Sequence, residues 1–333
     1  MIYFLGIDIS KKKFDAALTI DGKTYHGVLV ENSAKSIQSF FKDLKKKFSL
    51  SFSQVIVCLE HTGIYSQPLL NFLVKNEIRV CLEPALQIKR SQGMTRGKND
   101  KIDAERIALY AYKNRENLTF WKPQKSSIQK LKVLLVTRER LIKAKIQLGV
   151  PINESEAFLD ASIQKEMHRN CRHTLKALEK DIDKINQAID ELVKIDQQVA
   201  EQFHFATSVP GIGKITALNV IIATDLFTQI TEAKKFACYS GIAPFEHSSG
   251  SSIRGKTRVS HMANMTLKKL LHLAAISAIQ HCDELKAFYK RKVEEGKNKM
   301  SVINAVRNKL ISRIFACVKN KRTYQKDYKY GLV

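Results

Sequence analysis

Four carboxylates stand where metal-assisted phosphate chemistry would want them. Asp8 ends an apolar strand, Glu60 ends another, and Asp100 and Asp103 are three apart at the start of a helix, so both project from one helix face. Acids drawn from three distant segments can hold two Mg2+ ions. Two such ions about 4 Å apart clamp the attacking and leaving oxygens of a phosphodiester. Mg2+ prefers hard oxygen ligands, which agrees with a set that has no Cys or His. Each acid also has a plainer reading, since Asp100 and Asp103 complement a helix dipole wherever they occur. An acid inside an apolar strand needs a reason of its own.

The segment His247-Ser248-Ser249-Gly250-Ser251-Ser252-Ile253-Arg254-Gly255-Lys256 is the second candidate. A serine hydroxyl attacks phosphorus when the oxyanion is neutralised and the proton is removed. Arg254, Lys256 and Arg258 suit the first task. The same composition describes a solvent-exposed linker, and the segment reads as a Ser/Gly loop over 244–256. A third candidate is the turn Pro210-Gly211-Ile212-Gly213 before Lys214. It resembles a helix-hairpin-helix turn, whose backbone N–H groups bind a phosphate at a helix N-terminus. A tight interhelical turn without a ligand fits it equally.

The elements that must position these groups follow from patterning. Residues 3–9, 14–20 and 24–30 read as strands, with Asp21-Gly22 as a hairpin turn. A helix over 34–47 has Ser33 as N-cap. Val55–Leu59 is a buried strand, 65–75 a helix and 79–82 a strand; Pro84 opens a helix, and a Gly/Lys/Arg loop over 93–98 precedes a helix over 100–113. Three strands, helix, strand, helix, strand, helix is the order of a ribonuclease-H-like α/β domain. A doubly wound nucleotide-binding domain would open β-α-β with a Gly-rich turn, where this chain has Ser10-Lys11-Lys12-Lys13.

From Ser126 the pattern is helical. Leu175, Leu178, Ile182, Ile185, Ile189, Leu192 and Val199 keep a 3-4 alternation, with Ile195 offset by one. That is a coiled-coil seam or the apolar face of a helix on a globular core. An apolar helix, 215–224, follows the Pro210 turn, and helices resume over 264–280. The expected division is 1–125, a helical connector over 126–204 and a C-terminal domain over 205–333.

The chain has 333 residues, enough for two domains and a connector. With 44% hydrophobic and 26% charged residues it buries real cores, which excludes wholesale disorder. Its net charge of +24 points to a polyanionic partner, nucleic acid first and an anionic membrane surface second. Residues 291–333 alone carry 12 Lys and Arg against 3 Asp and Glu, a plausible phosphate-contacting surface. The apolar stretch 270–279 falls short of the roughly 18 residues of a membrane span. The six cysteines include no Cys-x-x-Cys pair, which argues against zinc and against a disulfide framework. Scattered thiols and an opening without a signal peptide lead us to expect a cytoplasmic protein.

Taken in order, the motifs carry a resemblance. They are Gly6-Ile7-Asp8-Ile9-Ser10-Lys11, Cys58-Leu59-Glu60-His61-Thr62-Gly63-Ile64-Tyr65 and Lys98-Asn99-Asp100-Lys101-Ile102-Asp103-Ala104. They continue as Val209-Pro210-Gly211-Ile212-Gly213, Tyr239-Ser240-Gly241-Ile242-Ala243-Pro244 and Ser249-Gly250-Ser251-Ser252-Ile253-Arg254-Gly255. The chain resembles the DEDD-type insertion-sequence transposases related to pilin-gene-inverting DNA invertases, some of which are bridge-RNA-guided recombinases. The resemblance implies an α/β plus α fold: a RuvC-like N-terminal domain, a coiled-coil connector and a mainly helical C-terminal transposase domain. It implies Asp8, Glu60, Asp100 and Asp103 as the acidic set with Mg2+, and Ser249 as the nucleophile that forms a phosphoserine link to DNA. Ser248 beside it leaves the nucleophile open by one residue. Implied partners are donor and target DNA, a noncoding bridge RNA and further copies of the chain, as dimer and synaptic tetramer, at the prokaryotic nucleoid. Gly211, Gly213, Lys214, Arg254, Lys256 and Arg258 are the expected nucleic-acid contacts. Two other readings are a metal-dependent junction-resolving nuclease, in which water attacks and the serine segment only binds, and a non-catalytic nucleic-acid-binding protein.

Overall fold

The computed structural model describes residues 1–61, 63–91, 99–155, 158–249, 253–259 and 262–326, with only the backbone course given at 245–249 and 253–258. The chain forms two compact units, Met1–Pro123 and Gln124–Val333.

In the first unit, β1 (Tyr3–Ile9), β2 (Lys13–Thr19) and β3 (His26–Glu31) form an antiparallel meander. Then come α1 (Ala34–Phe48), β4 (Val55–Glu60), α2 (Gln67–Lys75), β5 (Arg79–Glu83), α3 (Ala85–Ser91) and α4 (Asp100–Lys113). β4 lies parallel to β1 and β5 parallel to β4, giving the sheet order β3-β2-β1-β4-β5. A five-stranded mixed sheet whose second strand runs against the rest is the ribonuclease-H-like arrangement expected from the element order.

The alternation of each strand sorts side chains to two faces. Leu5, Ile7, Phe14, Val57 and Leu59 join Phe41, Leu69 and Leu73 beneath α1 and α2. Phe4, Ile56, Cys58 and Cys81 face α4, whose Ile107, Tyr110 and Ala111 cover them. Gly6 fixes how closely α4 can approach. A Cβ there would lie 2.2 Å from both the Ala104 carbonyl oxygen and the Ala108 nitrogen. Glycine at 6 and alanines at 104 and 108 therefore let the helix rest on the strand backbone. Asn99 caps α4, its side chain accepting from Lys101 N–H at 2.8 Å.

The second unit opens with α5 (Ser126–Ser155) and α6 (Ala161–Ile195). They pack as an antiparallel hairpin, joined by Arg138 to Asn186 and Lys145 to Glu179. Ile185, Ile189 and Leu192 of the heptad-like seam turn inward against Ile128, Leu131 and Leu135 of the same chain. The run does not continue as one helix. Asp196 stops α6 and caps α7 (Gln197–Thr207), its carboxylate accepting from Gln198 and Val199 N–H. The offset Ile195 is left 80% exposed at that break.

Next come α8 (Lys214–Thr224), α9 (Ala233–Tyr239), β6 (Pro244–Ser249), β7 (Ile253–Val259), α10 (Met265–His281), α11 (Asp283–Glu294) and α12 (Lys299–Lys319). α7 to α12 enclose one apolar core, including Phe236, Leu271, Ala275, Leu310 and Ile314. The Ser/Gly segment read as a loop is instead an antiparallel β6–β7 pair, bulged between Phe245 and His247. The Ser- and Gly-rich composition hides an alternation that the sequence does carry: Arg254, Lys256 and Arg258 take every second place on β7. Among the described residues no helix is long and apolar enough to cross a membrane.

Candidate active site

The two strand acids share one sheet face. Asp8 follows Gly6 on the α4 side of β1, and Glu60 follows Cys58 on the same side of β4. Because α4 sits on Gly6, its first turn brings Asp100 and Asp103 to that end of the sheet. The electrostatics register the convergence. Asp8 is half-buried, and burial, then Asp100, Asp103, Glu60 and Asp15, raise its pKa from 3.8 to about 6.

Two basic side chains moderate the cluster. Lys13 Nζ lies 3.5 Å from Asp100 Oδ2, and Arg106 Nη1 donates to Asp103 Oδ1 at 2.9 Å. In this arrangement no group of three or more His, Cys, Asp or Glu among the described residues is close enough to hold a metal ion. The donor chemistry nevertheless fits a hard divalent cation: every group is a carboxylate, and a cation among them would relieve the repulsion that raises Asp8.

Two acids of this face escaped the sequence reading. Asp15 lies directly opposite Asp8 in the β1–β2 register. Glu83 ends β5 in register with Glu60. It is 8% exposed, its pKa raised by burial despite a hydrogen bond from Tyr110. Tyr110 is in turn held by Gln87 Nε2 at 2.8 Å. The signal for Glu83 was present, because Cys-Leu-Glu occurs at both 58–60 and 81–83.

The second unit holds the remaining candidates. Ser249 is the last residue of β6, opposite Ile253, and Ser248 is opposite Arg254. Gly250–Ser252, the loop over 93–98, Thr62 and His261 lie outside the described residues, as do the side chains of Ser248, Ser249, Arg254, Lys256 and Arg258. Gly211 has φ +83°, and a Cβ there would lie 2.5 Å from the Ala274 carbonyl oxygen. Its glycine is therefore explained by close packing on α10. Gly213 caps α8 with open space around it. Lys214 is committed within the unit, 2.6 Å from Asp190 Oδ1. Part of the basic tail is also paired internally, Arg313 with Glu284, Lys321 with Glu201 and Lys326 with Asp283.

Residues 5–163 match the family model described as Transposase, of the DEDD IS110 type. Residues 204–290 match the model described as Transposase IS116/IS110/IS902 family. The chain belongs to the IS110-type DEDD transposases. These transposases cleave and rejoin DNA strands. The Pilin gene-inverting protein of Moraxella bovis is 28% identical over 330 residues, 97% of this chain and 98% of that one. The Transposase for insertion sequence element IS1111A of Coxiella burnetii is 26% identical over 257 residues, 68% of each chain. Among solved structures, the Thermus thermophilus RuvC structure overlaps 36% of this chain and 100% of that one, with 14% identity and a TM-score of 0.28.

Proposed function

We propose that this IS110-type transposase cuts and rejoins DNA through a phosphoserine intermediate on Ser249, assisted by the acidic set Asp8, Glu60, Asp100 and Asp103. The single observation that supports the acidic half is that Glu60 from the sheet and Asp100 and Asp103 from the first turn of α4 all act on Asp8, which is raised to about 6. In this reading Ser249 Oγ loses its proton and bonds phosphorus. The phosphorus–oxygen bond to the leaving strand breaks, and the departing oxygen takes up a proton. Attack by the incoming strand's hydroxyl on the phosphoserine then re-forms the DNA backbone and returns the proton to Ser249. A bound divalent cation, Mg2+ by its match to an all-oxygen donor set, would supply charge neutralisation at the phosphodiester. Lys13 and Arg106, which meet Asp100 and Asp103, keep the helix acids in place until then.

We divide the helical unit into a coiled-coil connector over 126–204 and a transposase domain over 205–333. Gly211, Gly213, Lys214, Arg254, Lys256 and Arg258 contact nucleic acid in this scheme. Donor and target DNA are paired by a bridge RNA, and the chain works as a dimer that assembles into a tetramer. The net charge of +24 agrees with a large phosphate-bearing partner. With base pairing as the reader of sequence, the protein needs to recognise only duplex shape and backbone.

Sequencing of RNA that co-purifies with the protein, from cells carrying the element's flanking noncoding DNA, tests the guide. One discrete RNA from the element's end is expected. Heterogeneous cellular RNA would instead favour direct DNA recognition, as in an invertase, a reading supported by 28% identity to a pilin gene-inverting protein across nearly the whole chain. In the nuclease alternative water attacks, and no covalent protein–DNA link forms.

A further inference from the structure

Among the described residues only two charged side chains are buried, Glu83 and Arg307. Glu83 accepts a hydrogen bond from Tyr110 and can take up a proton, as its raised pKa registers. Arg307 has no such outlet, because a guanidinium does not deprotonate in a protein. It sits on α12, 6% exposed, and faces α10.

Its partners are all neutral. Nη2 meets His272 Nδ1, Nη1 reaches Asn304 Oδ1 at 3.5 Å, and the buried Nε has no partner among the described residues. No Asp or Glu of the described residues pairs with it. Burial and the Arg307 charge hold the His272 pKa below its ordinary 6.5, so at neutral pH the imidazole is uncharged and its Nδ1 accepts from the guanidinium. A permanent cation thus lies in the protein interior with two neutral acceptors and one idle donor. Buried charges are ordinarily paired, and the penalty for leaving one unpaired is large.

An anion would complete the set. The forked donors of a guanidinium match carboxylate and phosphate alike, and of these two the phosphate is the one that nucleic acid carries. Position narrows it further. Asn304 Nδ2 donates to the Ile242 carbonyl at 2.8 Å, two residues before β6 begins, so the cation lies at the foot of the Ser249 hairpin. Lys268 stands one turn before His272 on α10 and adds a second cation to that stripe.

We propose that Arg307, flanked by His272 and Asn304, is an oxyanion site that grips a backbone phosphate of bound nucleic acid at the root of the hairpin. It rests on the family's action on DNA but not on the chemistry assigned to Ser249 or to the acids.

The test is thermal unfolding of the full-length protein in inorganic phosphate and in chloride of equal ionic strength, for wild type, Arg307→Met and Arg307→Lys. Salt titration of DNA-duplex binding accompanies it. The proposal expects phosphate to raise the wild-type Tm beyond chloride, and Arg307→Met to lose that response while its phosphate-free Tm does not fall. DNA affinity of Arg307→Met drops about tenfold, and the slope of log K against log salt flattens by about 0.9, one phosphate's worth. Arg307→Lys keeps the slope and part of the phosphate response, and it decides the matter should the Met variant not fold. A wild type indifferent to phosphate, a Met variant that keeps the response, or a Met variant destabilised without phosphate would each overturn the site. A phosphate response with an unchanged DNA slope would assign the site to free phosphate and overturn the nucleic-acid assignment. Loss of strand exchange with the phosphate response intact bears on Ser249, not on this site.

Discussion

Asp8 and Arg307 are mirror images in the two units. Asp8 is an acid set among acids, half-buried on the α4 face of the sheet, with its pKa lifted to about 6. Arg307 is a cation set among neutral groups, buried between α10 and α12. Burial and neighbouring acids disfavour the ionised form of Asp8, and burial disfavours the charge on Arg307. In the account proposed above, a divalent cation would neutralise the first and a backbone phosphate the second, the two groups that a phosphodiester enzyme handles. Uncompensated charge at a cleft or face is a marker of function when its sign agrees with the ligand's chemistry.

The strongest way to break this comparison is Asp8→Asn. Activity should fall on the order of 100-fold or more, as for loss of one group aimed at transition-state charge, while Tm measured by calorimetry holds or rises. A Tm loss would mean that the carboxylate braces the fold, and the parallel with Arg307 would end.

Two glycines sharpen the contrast between the units. Gly6→Ala drives a Cβ to 2.2 Å from the α4 backbone, which should cost about 3 kcal/mol in denaturant unfolding. It should also separate Asp100 and Asp103 from Asp8 and so reduce activity. Gly211→Ala places a Cβ 2.5 Å from the Ala274 oxygen at φ +83°, and about 2–3 kcal/mol should be lost here too. The acid face should be untouched, and a divalent-ion titration of the two variants separates them.

A smaller effect is expected at Asp196, where α6 ends. Burial pushes its carboxyl up, but Lys125, Ser127 and the Val199 N–H together outweigh that and hold it below the ordinary carboxylate range. A depressed folded pKa gives stability that is complete above the unfolded value of 3.8 and is lost as pH falls through the folded one. Asp196→Ala should therefore cost about 1–2 kcal/mol at pH 7 through the lost cap and ion pair. The gap from wild type should close in acid, as unfolding curves from pH 7 down to pH 2 would record. Glu83→Gln is the mildest change, expected within about 1 kcal/mol of wild type, since the amide can still accept from Tyr110.

The first unit was legible because its signals are local. Ser33 marks a helix start, and the acids at strand ends follow from strand periodicity. Register is not local, so Asp15 opposite Asp8 became visible only with the sheet assembled, and the repeated Cys-Leu-Glu that marks Glu83 gained its meaning only when β5 lay beside β4. The β6–β7 pair is obscured because the Ser and Gly composition of the segment outweighs a three-cation alternation. The 3-4 spacing runs on to Val199, but at Asp196 one capping carboxylate ends the helix. Lys214 looks free in the sequence, and only the fold brings Asp190 to it.

The most direct test of the central claim is trapping of the reaction on a nicked DNA substrate with divalent cation, then peptide mass spectrometry of the protein–DNA adduct. The account predicts a phosphodiester link on the Ser249 hydroxyl, present in wild type and Ser248→Ala and absent from Ser249→Ala, which still binds DNA. Strand cleavage without any adduct, or an adduct that persists in Ser249→Ala, would contradict it.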